Sequence, residues 1–179
     1  MPDDLRLKRK RRSSLTIRKM TVLSLLTAMA VAGRLAIHGL NIQPATLIII
    51  LTGWFFGWRM GLAEGMMVAL VSDLVLGLGY WTPFQMLAWG LIGLLSAALP
   101  KYPWVYILWL SLSGFLFGLV MALSYFLMSS NLVTVFGMWL AGLPFDLYHA
   151  AGNLAFGILS PLLFKVFRRE AEQLRDRSR

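Results

Sequence analysis

Cysteine is absent from all 179 residues of the chain. Without thiols the protein has no disulfide framework, no thiolate nucleophile and no cysteine-ligated metal site. Short motifs for hydrolysis and phosphate binding are missing as well, since there is no Walker sequence, GxSxG or HExxH. We therefore expect no enzyme activity, no cofactor and no metal site in this chain.

Charge is scarce between residues 20 and 164. The charged side chains of that stretch are Arg34, Arg59, Glu64, Asp73, Lys101 and Asp146. A charge at the centre of a bilayer costs ~2.5–3.5 kcal/mol or more, and 58% of the whole chain is hydrophobic. The pattern is typical of an integral membrane protein. The net charge of +9 comes mostly from two basic tails, which anionic lipid explains without nucleic acid.

The apolar stretch predicts an all-α, polytopic membrane protein with six transmembrane helices. We divide the chain into a basic cytosolic tail (1–19), a six-helix membrane domain (20–167) and a charged cytosolic tail (168–179). The predicted spans cover residues 20–38, 45–58, 60–78, 84–99, 104–128 and 145–167. Residues 132–144, with two glycines and a proline, are expected to form a re-entrant or interfacial segment. If they span the membrane instead, the C-terminal tail lies on the other side.

Basic residues alternate with neutral connections along the chain. Lys or Arg occurs in both tails and in the turns at 58–60 and 100–103, whereas the connections at 39–43, 79–83 and 129–132 have none. The positive-inside rule then places both termini in the cytosol. We expect a multi-pass protein of the bacterial cytoplasmic membrane, in contact with the lipid bilayer.

Two of the internal charges lie at matching predicted depths. With Met20 and Met60 as inner boundaries, the rise of a helix places Arg34 ~21 Å up the first span and Asp73 ~20 Å up the third. Because buried charges need partners, we expect an Arg34–Asp73 ion pair. It would act as a structural clasp or contact a ligand directly. Glu64 is expected to meet Arg59, Lys101 or water near the inner boundary.

Asp146, His149 and Asn153 have the spacing i, i+3, i+7 and share one helical face. A carboxylate, an imidazole and an amide on one stripe can hydrogen-bond a polar ligand. An interhelical hydrogen-bond network is an equally good interpretation. With only two histidines in the chain, a metal site is disfavoured.

Further polar and aromatic residues lie in or near the connections without basic residues. The candidates for ligand contact there are Asn41, Gln43, Tyr80, Trp81, Gln85 and Trp89. Trp and Tyr at such depths also serve as interface anchors. Trp81, Gln85 and Trp89 are the stronger candidates because one-turn spacing lets them share a helical face.

Small residues recur every fourth position in the first span, at Ser24, Ala28, Ala32 and Ala36. Such a stripe permits close approach of another helix. Its partner is either another helix of this chain or a separate subunit.

Several segments together resemble a known family, the substrate-binding (S) subunits of energy-coupling factor (ECF) vitamin importers, over residues 20–167. The most specific segment is the WTPFQMLAWG string at 81–90. The others are Ala28 and Ala32, the strings NIQPAT at 41–46 and LTG at 51–53 with the following FG at 56–57, and PFDLYH at 144–149 with Asn153.

The resemblance implies a mechanism. A subunit of this kind binds a vitamin near the outer ends of its helices and docks through Ala28 and Ala32 on a scaffold transmembrane subunit coupled to two ATPases. It then topples in the membrane and releases the ligand inward. The pocket residues would be drawn from Trp81, Gln85, Trp89, Asp146, His149 and Asn153.

The substrate expected from general likeness is cobalamin. Pantothenate, a pyrimidine precursor of thiamine, folate and a queuosine precursor are open alternatives. Two other classes of protein are also considered. One is a non-transporting scaffold resembling the cell-shape protein MreD, and the other is a small membrane enzyme using Asp146 and His149.

Overall fold

The computed structural model describes residues 3–37, 41–159 and 161–176, with side chains from residue 13 onward. These residues form helices and no strand, so the prediction of an all-α protein is confirmed. The α-helices are α1 (Asp3–Ala36), α2 (Ala45–Phe56), α3 (Trp58–Leu76), α4 (Thr82–Ser96), α5 (Pro103–Ala122), α6 (Phe126–Ser129), α7 (Leu132–Ile158) and α8 (Pro161–Asp176). A short 3-10 helix, Leu123–Tyr125, joins α5 to α6.

Two helical segments within the described part of the chain are long and apolar enough to cross a membrane, Ser13–Ala36 and Pro103–Ser129. A third candidate arises if α7 and α8, which are bent by 73°, count as one span. The helix α2 has 12 residues and is therefore only ~18 Å long. Length and composition support two or three spans, and the six-span count is not confirmed.

The helix α2 forms the centre of the core. Its residues 45–54 are all buried, including the run of isoleucines at 48–50. A helix that is apolar on every side must be surrounded by others. Here α2 packs against α1, α3, α4 and α8.

Glycines bring α3 and α4 into backbone contact. A Cβ added at Gly61 would lie 2.3 Å from the carbonyl oxygen of Gly93, and one added at Gly93 would lie 2.1 Å from that of Gly61. No larger residue fits there without moving a backbone. This contact joins the start of α3 to the end of α4.

The predicted boundary between the segment 132–144 and the sixth span at residue 145 does not exist in the structure. Residues 132–144, predicted to be a separate re-entrant or interfacial segment, are the first half of α7, which continues through Pro144. Asn131 caps this helix by accepting a hydrogen bond from Val133 N at 2.8 Å, a geometry that satisfies one free N–H of the first turn. The predicted continuous helix over 145–167 is also wrong, since α7 ends at Ile158 and α8 begins at Pro161.

Other boundaries shift by a few residues. Gly57, with φ of +93°, separates α2 from α3, so the predicted turn at Trp58 and Arg59 already belongs to α3. The predicted end of the first span at residue 38 lies outside the described residues, as do residues 1–2 and 177–179 of the predicted tails. The side chains of the basic run at 8–12 are outside them too.

Candidate functional site

Arg34 of α1 and Asp73 of α3 form an ion pair, with Arg34 Nη1 3.2 Å from Asp73 Oδ1. Their side chains are only 11% and 2% exposed. Arg34 also donates to the Ser72 hydroxyl, and its guanidinium lies 4.7 Å from the centroid of the Trp89 ring. The structure therefore brings together the two charges at matching predicted depth and adds a cation–π contact.

The Asp73 carboxylate is held from α4 as well. The Thr82 hydroxyl donates to Oδ2 at 2.8 Å. The amide of Gln85 fits when its nitrogen faces the carboxylate, since it then donates at 2.7 and 2.8 Å while its oxygen accepts from Arg34 Nη2 at 2.7 Å. Gln85 is thus a partner of the ion pair, and it lies beneath the surface of the bundle.

A second set of hydrogen bonds crosses from α2 to α4 and α7. The Thr46 hydroxyl accepts from Trp89 Nε1 at 3.1 Å and pairs with His149 Nε2 at 2.8 Å. All three residues are completely buried. Phe117 of α5 packs on both rings, with centroid distances of 5.1 Å to Trp89 and 5.0 Å to His149. This buried network ties four helices together.

Asp146 of α7 packs against α5 at Gly118. A Cβ added at Gly118 of α5 would lie 1.9 Å from Asp146 Oδ1, so only glycine leaves room for this carboxylate. Asp146 is 4% exposed, and its Oδ2 has no hydrogen-bond partner among the residues that the structure describes. A buried carboxylate oxygen without a partner is costly.

Asp146 lines a cavity of about 330 Å³ between α5, α7 and the residues before α4, which we call the Asp146 cavity. Its walls are mainly aromatic and methionine side chains. The lining consists of Asn41, Tyr80, Trp81, Phe117, Gly118, Met121, Ala122, Ser124, Tyr125, Met138, Trp139, Gly142, Phe145 and Asp146. A mostly apolar cavity with a few polar groups is the usual form of a small-molecule site.

Trp139 is a lining residue that the sequence reasoning missed. Its Nε1 is buried and lacks a partner in the described part of the chain, as Asp146 Oδ2 does. Both residues line the cavity, so its wall contains a carboxylate that can accept and an indole N–H that can donate. Trp139 precedes Asp146 by seven residues and shares its helical face. Assigning 132–144 to a separate segment hid this relation.

The remaining predicted residues divide into two groups. Asn41, Tyr80 and Trp81 line the cavity, and Asn41 Nδ2 also donates to the Phe145 carbonyl at 3.3 Å. The residues that lie outside the lining are Gln43, Gln85, Trp89, His149 and Asn153.

Asn153 and Gln43 make contacts within the protein. Asn153 Nδ2 donates to the Leu110 carbonyl at 3.1 Å and to the Ser113 hydroxyl at 3.2 Å. These bonds join α7 to α5, as the interhelical interpretation of this face expects. Gln43 is buried, with its amide nitrogen 3.5 Å from Asn41 Oδ1.

The stripe of small residues on α1 is exposed at Ser24, Ala28, Ala32 and Ala36, while the neighbouring Thr27 and Ala30 are buried. The stripe is therefore not packed against another described helix of this chain. Thr27 instead faces Glu64, donating to its Oε2 at 2.9 Å. The expectation that Glu64 meets Arg59, Lys101 or water is replaced by this contact.

The fold and the site define a class: a helical membrane protein with a mostly apolar cavity near one end of the bundle. The described residues contain no group of three or more His, Cys, Asp or Glu placed to hold a metal ion.

The chain belongs to the family of ECF transporter substrate-specific components, whose model matches residues 18–170. Members of this family are substrate-binding membrane proteins that work with ECF scaffold and ATPase subunits. No curated protein and no solved structure matches the chain significantly.

Proposed function

We propose that this chain captures a vitamin-like small molecule in the Asp146 cavity on the outer side of the bacterial cytoplasmic membrane. A scaffold subunit with two ATPases would then drive its delivery inward, as the resemblance to S subunits implies. The observation that carries the proposal is one mainly aromatic cavity that both Asp146 and Trp139 line. Within the described part of the chain, Asp146 Oδ2 and Trp139 Nε1 have no hydrogen-bond partner.

The orientation rests on the distribution of charge. Arg18, Lys101 and Arg168 gather at the end of the bundle formed by α8 and the start of α5, away from the Asp146 cavity. With that end in the cytosol, the cavity opens outward. Six membrane segments with both termini inside remain our proposal, in which the short helix α2 is buried among the longer ones.

The chemistry of the cavity favours a compact ligand with a nitrogen heterocycle. Asp146 accepts from an N–H or cationic group, Trp139 donates to a ring nitrogen or carbonyl, and aromatic walls stack on a planar ring. A thiamine pyrimidine or a queuosine precursor has these features. Pantothenate and folate carry carboxylates, which an ionised Asp146 would repel.

Cobalamin stays a prediction from the resemblance. A corrin with its nucleotide loop is larger than a cavity of about 330 Å³, so it would bind with much of its surface outside. Exposed Tyr80 and Trp81, 41% and 37% accessible, stand at the rim for such a contact. The MreD-like scaffold and the enzyme have no specific structural observation in their favour.

Ligand retention by the purified full chain in detergent tests the proposal. Mass spectrometry against a vitamin panel that includes cobalamin should find one stoichiometric ligand. Asp146→Asn should lose it, whereas Glu172→Gln, which removes a carboxylate at the opposite end, should retain it. A well-folded chain that retains no ligand, or an unchanged Asp146→Asn variant, would overturn the proposal.

The docking role of Ala28 and Ala32 follows from the same proposal and from the exposure of both residues. Ala32→Trp should abolish co-purification with the scaffold subunit and leave ligand retention intact. Leu119→Trp, at an exposed position of α5, is the control. Equal co-purification of both variants would rule out docking through this stripe.

A further inference from the structure

A second cavity lies at the opposite end of the bundle from Asp146. It has a volume of about 570 Å³ and is enclosed by the end of α2, the start of α5 and one face of α8. Three basic residues line it, Lys101, Arg168 and Arg175, together with one acid, Glu172. We call it the basic cavity.

An aromatic cluster forms the floor of the basic cavity. Trp54 of α2, Tyr106 of α5 and Phe164 of α8 meet edge to face, with centroid distances of 5.3 Å from Trp54 to Tyr106 and 5.4 Å from Tyr106 to Phe164. Because all three helices contribute a ring, the floor is part of the packed core. The cavity is therefore a built feature of the fold.

The three basic residues share the wall of one cavity. Lys101 Nζ lies 5.6 Å from the centroid of the Phe55 ring, at the edge of the cavity. Burial, and then repulsion from Arg175 and Arg168, lowers the pKa of Lys101. Like charges held together in this way favour an anion between them.

The helix α8 packs one face on the bundle and exposes apolar side chains at its start. It turns by 73° from α7, buries Phe167, Ala171 and Leu174 against the bundle, and exposes Leu162 and Val166 near its start. A helix with apolar side chains at one end and many charges after them is suited to the interface between headgroups and acyl chains.

We propose that the basic cavity binds the phosphate headgroup of an anionic phospholipid. Lys101 and Arg168 contact the phosphate, and the aromatic side of the cavity takes the apolar part of the lipid near the glycerol. A binding site for a free phosphate ion would need only the basic residues. The aromatic floor and the exposed apolar start of α8 are what favour a lipid as the source. The proposal is independent of the ligand in the Asp146 cavity.

Native mass spectrometry of the purified full chain tests this site. Phosphatidylglycerol should be retained and phosphatidylcholine should not. Lys101→Gln with Arg168→Gln should weaken phosphatidylglycerol binding roughly tenfold or more. The matched control is Lys165→Gln with Arg169→Gln, which removes the same charge from α8 at exposed positions outside the cavity.

Each outcome decides the proposal. An equal loss in both double variants would show general attraction to a basic surface and overturn it. Displacement of the lipid by excess inorganic phosphate would identify a site for soluble anions, which also overturns it. If the cavity variant fails to fold, the native chain still tests the proposal through its binding of phosphatidylglycerol, phosphatidylcholine and inorganic phosphate. Equal retention of the two lipids would overturn the proposal.

Discussion

Arg34 and Asp73 join α1 to α3 through an ion pair of 3.2 Å that is almost completely buried. Ser72, Gln85 and Trp89 surround the guanidinium, so the pair is part of a network among three helices. It lies beside the network of Thr46 and His149, because Trp89 belongs to both. The buried charges therefore set the relative positions of α1, α3 and α4.

Asp73→Asn should destabilise the protein by about 3 kcal/mol or more, because breaking one side of a buried pair leaves an uncompensated charge. Thermal unfolding in detergent measures the loss. Glu170→Gln is the control, since it breaks the half-buried Arg18–Glu170 pair at 2.7 Å, which is expected to contribute less than about 1 kcal/mol. Equal effects of the two variants would contradict the structural role of Asp73.

Gly118→Ala should abolish or weaken ligand retention while the fold survives. The new Cβ would overlap Asp146 Oδ1 at 1.9 Å, so the carboxylate must leave its position. The loss of a charged hydrogen bond predicts roughly tenfold weaker binding or more. Gly137→Ala is the matched control on α7, where a Cβ meets nothing within 4 Å. Native-like affinity in Gly118→Ala would show that Asp146 is not a ligand contact.

Trp139→Phe should weaken ligand binding roughly threefold to tenfold, because it removes one N–H donor and keeps an aromatic wall. Titration of the purified chain with the ligand found in the panel measures the change. Trp104→Phe, at a side chain 67% exposed near the opposite end of the bundle, should bind as the native chain does. An unchanged affinity in Trp139→Phe would mean that its N–H faces no ligand atom.

The absence of cysteine makes the proposed orientation directly testable. A single cysteine replacing Ser130, in the turn between α6 and α7, should react in intact cells with a maleimide that cannot cross the membrane. A single cysteine replacing Tyr102, 59% exposed at the opposite end, should react only after permeabilisation. The reverse pattern would invert the topology, and equal labelling in intact cells would contradict a membrane between the two positions.

Much of the Arg34–Asp73 relation could be predicted because the rise per residue of a helix is constant and gives depth from sequence position alone. The sequence does not give the rotation of a helix about its own axis relative to its neighbours, and this rotation decides which residues a side chain contacts. The contacts of Arg34 with Ser72 and Trp89 therefore came only from the structure. Glu64 shows the same limit, since its depth was predicted while its partner, Thr27, was not.

The face shared by Asp146, His149 and Asn153 was correctly read from helical period, yet its members have different surroundings. Asp146 lines the cavity, His149 pairs with Thr46, and Asn153 bonds to α5. Which of them meets a ligand depends on how far α5 and α2 cover the face. Trp139 was missed because glycines and Pro144 suggested a break that packing against α5 overrides.

Sequence alone determined that the chain is helical, membrane-embedded and asymmetric in charge. The free-energy cost of moving a charge into lipid, and the cost of leaving a backbone group there without a hydrogen bond, apply to each residue whatever its neighbours are. Tertiary structure decided which polar side chains form hydrogen bonds with one another and which line the cavity instead. That outcome depends on contacts between helices distant in sequence. Gly118 against Asp146 is the clearest case, because the absence of one methyl group on α5 leaves room for a carboxylate of α7.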